Sequence, residues 1–183
     1  PRAHLPGVLV VAAIWSLVLL ELPLAFLGGH AVAGERADRS VEFLGSLPVS
    51  RGRMVSSKLA VVLGALALVW LPNLLVLALA SPWLTEANVI ARQFLPWTRT
   101  TLAVGLTMVS VAWLCSTRMQ SPVLATCVGL LAPGLYFFGG AIFLNVCDIS
   151  WRDNMGWYRG LCLVTTVLSL ALGTRLYLQR AEP

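Results

Sequence analysis

Charged residues are scarce in this chain of 183 residues: 11% are Asp, Glu, Lys or Arg, whereas 58% are hydrophobic. A soluble domain usually carries about 25% charged residues. A single core of this size has too little interior to hide so much apolar surface from water, which excludes an ordinary water-soluble domain. The composition therefore predicts that lipid, rather than water, surrounds most of the chain.

The sequence also lacks the residue patterns of common catalytic sites. It contains no G-x-x-x-x-G-K-[ST] phosphate loop, no H-E-x-x-H metal pair and no G-x-S-x-G nucleophile elbow. The only histidines are His4 and His30, which leaves no histidine-based acid–base pair inside a membrane. We therefore expect no metal site, no bound cofactor and no enzymatic activity of the chain itself.

The four cysteines have no spacing typical of a metal site. Cys147 and Cys162 flank one predicted outer loop, so either a disulfide between them or two free thiols fits the sequence. Free thiols are the favoured interpretation. The other two cysteines, Cys115 and Cys127, lie inside apolar runs.

Five apolar segments are long enough, or nearly long enough, to cross a membrane as helices, which takes about 20 residues. An open strand would leave backbone groups unpaired in lipid, and the alternation of a membrane barrel is absent. The predicted fold is therefore all-α, a polytopic transmembrane bundle forming one domain over residues 1–183. The predicted spans are Leu5–Leu27, Leu59–Ala80, Thr101–Thr117, Pro122–Val146 and Trp157–Leu176.

Prolines inside two of these spans are hinge candidates. Pro72 lies near the middle of the second span, where a hinge and a static kink fit equally well. Asn73 is expected to bond a carbonyl that Pro72 frees, or a neighbouring helix. Pro133 interrupts the fourth span, whose outer half is expected to be bent or re-entrant. Ala60 and Gly64 form a small-xxx-small pair through which another helix would approach the second span.

Glu21 is the only acidic residue inside an apolar run. An ionisable group there either lines a pathway or lies close enough to the lipid headgroups to stay hydrated. The second interpretation is favoured, because Glu21 is only a turn or two from the predicted end of the first span at Leu27.

The predicted loop of residues 28–58 is the most polar stretch between two spans, and its charges set the orientation. If this loop is cytoplasmic, the eight inner basic residues are Arg36, Arg39, Arg51, Arg53, Lys58, Arg118, Arg175 and Arg180. The five outer ones are then Arg2, Arg92, Arg99, Arg152 and Arg159. This bias follows the positive-inside rule. No basic stripe with interleaved aromatic residues is present, so we expect no nucleic-acid partner.

The second half of this loop predicts a short amphipathic helix at the inner face of the membrane. Val41, Leu44 and Leu47 share one helical face. Pro48 ends this helix, because a residue that precedes proline avoids the helical conformation. Arg51 begins the next helix. A surface for a partner protein and a helix that packs only on lipid headgroups fit these residues equally well.

The segment ERADRSVEFLGSLPVSRGRMVSSK resembles the cytosolic loop of the ABC-2 family of ABC transporter permeases. Members of that family commonly show a glutamate-rich start, a turn reading SLPVSR and a lysine at the start of the next span. The matching residues are Glu35, Arg39, Glu42, Leu44, Ser46, Leu47, Pro48, Val49, Ser50, Arg51 and Lys58. The resemblance implies a six-span permease that pairs as a dimer and binds cytosolic ATPase subunits encoded on another chain.

The same resemblance assigns roles within the loop. The short helix would be a coupling helix that docks on the ATPase, with charge contacts from Arg39, Glu42 and Arg51. Its packed part would consist of Leu44, Leu47 and Pro48. The family's first span would precede Pro1, and the function implied is ATP-driven transport, in the export direction, across a bacterial inner membrane. The alternative is a non-transporting membrane anchor or assembly factor whose loop binds another cytosolic protein.

Overall fold

The computed structural model of the chain describes residues 5–38, 50–84, 89, 95–146 and 155–179. Within these ranges five helices are long and apolar enough to cross a membrane, which confirms the predicted all-α polytopic bundle and makes this an integral, multi-pass membrane protein. They are α1 (Leu5–Ala37), α2 (Arg51–Ala80), α3 (Thr98–Ser116), α4 (Pro122–Val146) and α5 (Met155–Gln179). Short 3-10 helices, Ser81–Trp83 and Leu95–Trp97, follow α2 and precede α3.

Helix α3 is the centre of the bundle. It packs against α1, α4 and α5, and ten of its 19 residues are buried. Helix α2 packs mainly against α1 and leaves most of its surface exposed to the surrounding medium, with only 11% of its most apolar stretch buried. The bundle therefore has a three-helix shell around α3 and a peripheral α2.

Glycines allow the helices to approach α3 closely. A Cβ atom at Gly129 of α4 would lie 2.7 Å from the carbonyl oxygen of Met108 and 2.7 Å from the Cβ of Ala112. A Cβ atom at Gly28 of α1 would lie 2.7 Å from the carbonyl oxygen of Val109. Real Cβ atoms do not come this close to backbone, so these two crossings require glycine. Such contacts are how helices associate in lipid, where apolar burial gives little driving force.

Helix α1 is longer than the first predicted span. The sequence predicts an end at Leu27, but the helix continues through Gly28 and Gly29 to Ala37. The two glycines look like a helix end in the sequence, yet both pack against neighbouring helices, and this packing overrides their low helix propensity. Glu21 consequently lies near the middle of α1 and is 4% exposed, so the expectation that it stays hydrated near the headgroups is wrong.

The two hinge candidates lie in different surroundings. Pro72 is on the exposed side of α2, and the amide of Asn73 donates to the carbonyl of Val69 at 2.8 Å. Asn73 therefore bonds within its own helix. Pro133 is buried, and its carbonyl accepts a hydrogen bond from the Tyr158 hydroxyl of α5 at 3.1 Å. Hinge motion at either proline stays a prediction.

A re-entrant fourth span and a small-residue contact on the second span are not found in the described ranges. Helix α4 continues unbroken from Pro122 to Val146, so its outer half is not re-entrant. The small residues Ala60 and Gly64 do not admit a neighbouring helix in the described part of the chain. Ala60 is exposed, and a Cβ atom at Gly64 would meet no described atom within 4 Å.

Candidate functional site

The end of α1 and the start of α2 meet on a shared apolar cluster from which residues 39–49 depart. Val32 of α1, Val55 of α2 and Trp113 of α3 are buried together, with Tyr177 of α5 packed against them. We call this region the loop base. It comprises Val32, Glu35, Val55, Lys58, Trp113 and Tyr177. Because all four helices contribute to it, a displacement of one of them at this point acts on the others.

Trp113 is the centre of the loop base. Its side chain is 0% exposed, and α5 passes beside it at Gly173. A Cβ atom at Gly173 would lie 2.7 Å from Cδ1 of the indole, so the ring occupies the space that a larger residue on α5 would fill. Large aromatic side chains dominate core packing energies, and this one joins α3 to three neighbouring helices.

The loop base contains an ion pair between Lys58 of α2 and Glu35 of α1. The Lys58 ammonium donates a hydrogen bond to Oε2 of Glu35, and the two side chains are 15% and 25% exposed. The same ammonium lies 5.1 Å from the centroid of the Tyr177 ring, within the range of a cation–π interaction. Charge-assisted hydrogen bonds are about twice as strong as neutral ones. Lys58, the only lysine of the chain, therefore links α1, α2 and α5.

Backbone hydrogen bonds define the end of α1 and the start of α2. At the end of α1 the N–H of Asp38 donates to the carbonyl of Gly34 at 3.0 Å. Ser50 is extended, with φ −63° and ψ 138°, and its carbonyl accepts from the N–H of Arg53 at 2.9 Å. Helix α2 therefore begins at Arg51, as the sequence predicts.

The structure covers only part of the predicted partner-binding set. Arg51 is the first residue of α2. The motif residues Glu35 and Lys58 are brought into contact, although the sequence only placed them at opposite ends of the loop. Tyr177 was not predicted, since no sequence pattern relates the last helix to Lys58. The remaining predicted residues lie outside the described part of the chain: Arg39, Glu42, Leu44, Leu47 and Pro48.

The cysteines and acidic residues do not form a second site in the described ranges. Cys115, Cys127 and Cys162 are free thiols, and Cys147 lies outside those ranges. No group of three or more His, Cys, Asp or Glu residues is placed to hold a metal ion among the residues that the structure describes.

Basic residues of the described helices concentrate on the side of the loop base. Arg53 and Lys58 begin α2, Arg118 follows α3, and Arg175 lies in the last turns of α5 near Tyr177. The opposite side has Arg99 at the start of α3 and Arg159 at the start of α5. The helix ends are therefore grouped in the same way as in the inner and outer sets of basic residues that were counted from the sequence.

No protein-family model, no curated protein and no solved structure matches this chain.

Proposed function

We propose that this chain is the membrane-spanning permease subunit of an ATP-driven transporter of the ABC-2 type. The observation that carries the proposal is the ion pair of Glu35 and Lys58, which ties the two ends of the predicted coupling loop to one rigid base. The SLPVSR pattern between these two residues is the second support. If the two ends of the loop are fixed to each other, a force applied to the loop moves α1 and α2. If the ends were not fixed, the same force would only deform the loop.

The mechanism follows from the helices that meet at the loop base. ATP-driven closure of a cytosolic ATPase presses on the predicted helix around Leu44 and Leu47. The push enters α2 at Arg51, about two turns before Lys58. From Lys58 it passes to α1 through Glu35 and to α5 through Tyr177. Both of these helices pack against the central α3, so the push reorients the bundle.

The charge distribution supports an orientation with the loop base in the cytosol, as the positive-inside rule requires. In this proposal the protein resides in a bacterial inner membrane, pairs with a second permease copy or homologue as a dimer, and works in the export direction. Nucleotide hydrolysis takes place on the partner ATPase, since the chain has no phosphate-binding loop of its own.

Co-purification with a cytosolic ABC ATPase that is co-expressed with this chain tests the proposal. We expect the double substitution Leu44→Asp and Leu47→Asp to abolish co-purification, because two charges would be buried in the docking groove. Ser46→Asp is the matched control, since it places a charge on the opposite side of the predicted helix and should leave binding intact. Equal recovery of the ATPase with the double variant and the wild type would refute docking through this face.

A second variant separates binding from transmission. Lys58→Met removes the ion pair with Glu35 but leaves the predicted docking helix unchanged. It should bind the ATPase as the wild type does, while the permease no longer stimulates ATP hydrolysis. Undiminished stimulation by Lys58→Met would show that the loop base does not transmit force. If the chain is instead an anchor or assembly factor, no ATPase co-purifies with the wild type.

A further inference from the structure

Glu21 is a buried carboxyl group without a hydrogen-bond partner at one oxygen. The residue is 4% exposed, and its Oε1 atom is fully buried with no partner among the described residues. Helix α1 continues for about four turns beyond it, so Glu21 lies deep in the span. An unpaired polar atom in such surroundings requires an explanation, because its desolvation is costly.

Helices α2 and α3 enclose this carboxyl group. Leu17, Glu21 and Leu24 share one face of α1. Trp70 of α2 packs against the buried clusters of both leucines and therefore covers the level of Glu21. The indole Nε1 of Trp70 is also buried without a partner. On the side of α3, a Cβ atom at Gly105 would lie 2.6 Å from Oε1, so the carboxyl group fills the space left by the absent side chain.

The helices around Glu21 provide no counter-charge. The ion pair of Lys58 with Glu35 lies about 21 Å further along α1 and does not reach Glu21. Arg99 of α3 is exposed rather than directed into the bundle. The hydroxyl of Tyr158 on α5 donates to the carbonyl of Pro133 on α4 and is not bonded to Glu21. The Cys162 thiol of α5 is buried beside Tyr158 in another cluster.

We propose that Glu21 is an intramembrane proton-binding site, held as a neutral carboxylic acid between Gly105 and Trp70. Among the described residues no cation and no hydrogen-bond donor contacts Oε1, so an ionised carboxylate at this depth would not be compensated for its lost hydration, whereas the protonated acid carries no charge. The ligand of this site is a proton. This inference does not depend on the transport function proposed above.

Infrared difference spectroscopy of the full chain in a detergent without ester groups tests the site directly. A protonated acid has a carbonyl stretching band at higher frequency than the amide I band, and an ionised carboxylate does not. We expect this band in the wild type at neutral pH and its loss in Glu21→Gln. The band should persist in Glu35→Gln, because Glu35 forms an ion pair with Lys58 and lies far from Glu21 along α1. Spectra of the wild type and Glu21→Gln that coincide in this region would overturn the proposal.

If Glu21→Gln does not fold, carbodiimide labelling of the wild-type chain tests whether Glu21 is protonated. Dicyclohexylcarbodiimide enters membranes and reacts with protonated carboxyl groups. Mass spectrometry of the labelled wild-type chain should find the adduct on Glu21 and none on Glu35. An adduct on Glu35 alone, or on neither residue, would contradict a protonated Glu21.

Discussion

Replacing Trp113 with alanine should lower the free energy of unfolding of the bundle by about 3–5 kcal/mol, which is the usual cost of removing a buried tryptophan. The indole is 0% exposed and contacts residues of α1, α2 and α5. Its loss opens a cavity between four helices, and all four would have to move to fill it. Helix α3 is held between α1, α4 and α5 and cannot move far to fill this cavity, so the cost should fall in the upper half of this range. Denaturation in mixed micelles by added SDS, followed by circular dichroism, measures the effect.

The matched control for this prediction is Trp83→Ala. Trp83 is 73% exposed after the end of α2, so its truncation removes little packing. Its free energy of unfolding should stay within about 0.5 kcal/mol of the wild-type value. Equal losses of stability in the two variants would mean that Trp113 does not form the centre of the loop base.

Adding a single methyl group at Gly129 should destabilise the bundle, whereas the same change at Gly64 should stabilise it. A Cβ atom at Gly129 would lie 2.7 Å from the Met108 carbonyl oxygen and 2.9 Å from the Ala112 nitrogen. Backbone atoms cannot rotate away, so Gly129→Ala must push α4 from α3, at a cost of about 1–3 kcal/mol. Gly129→Val should cost more, because its branched side chain separates the helices further.

Gly64→Ala is the control, because Gly64 lies on an exposed face of α2 and not at a helix crossing. No described atom lies within 4 Å of its added Cβ, so the substitution meets no obstacle. Alanine is favoured over glycine inside a helix by about 0.5–1 kcal/mol, and stability should rise by this amount. The same SDS titration measures both variants. A stability gain in Gly129→Ala would contradict the close crossing of α3 and α4.

The spans were predictable from the sequence because their length and apolarity reflect the thickness of the bilayer. The predicted bounds of the fourth span, Pro122 to Val146, are those of α4, and the second span ends at Ala80 as predicted. The first span was predicted too short, because Gly28 and Gly29 resemble a helix end. Their helical conformation depends on contacts with α3 and α4, which are distant in sequence and leave no local signal.

Helix contacts were much less predictable than the helices themselves. Ala60 and Gly64 match the small-xxx-small pattern but do not meet another helix in the described ranges, whereas Gly129 and Gly173 do. In a membrane protein both lipid and the protein interior are apolar, so hydrophobicity does not distinguish the outer face of a helix from its inner face. A single sequence therefore shows where helices lie but not which faces they share.

In the candidate site, too, individual residues could be identified from the sequence, but the contacts between them could not. Glu35 and Lys58 stand out because they are rare charges at the borders of apolar runs. Their contact was not predicted, because it requires α1 to extend to Ala37. Tyr177 was not identified at all, since its place beside Lys58 depends on the packing of α5.

The proposed function requires residues 39–49 to lie on the cytosolic side of the membrane, and side-specific cysteine labelling measures this. Arg39→Cys, Arg51→Cys and, as an outer-loop control, Arg152→Cys would be introduced singly into a chain whose four native cysteines are replaced by alanine. A membrane-impermeant maleimide is then applied to intact cells and to opened membranes. We expect Arg152→Cys to react in intact cells, and Arg39→Cys and Arg51→Cys to react only after the membranes are opened. Labelling of Arg39→Cys and Arg51→Cys in intact cells would show that the loop is extracellular and would refute its docking on a cytosolic ATPase.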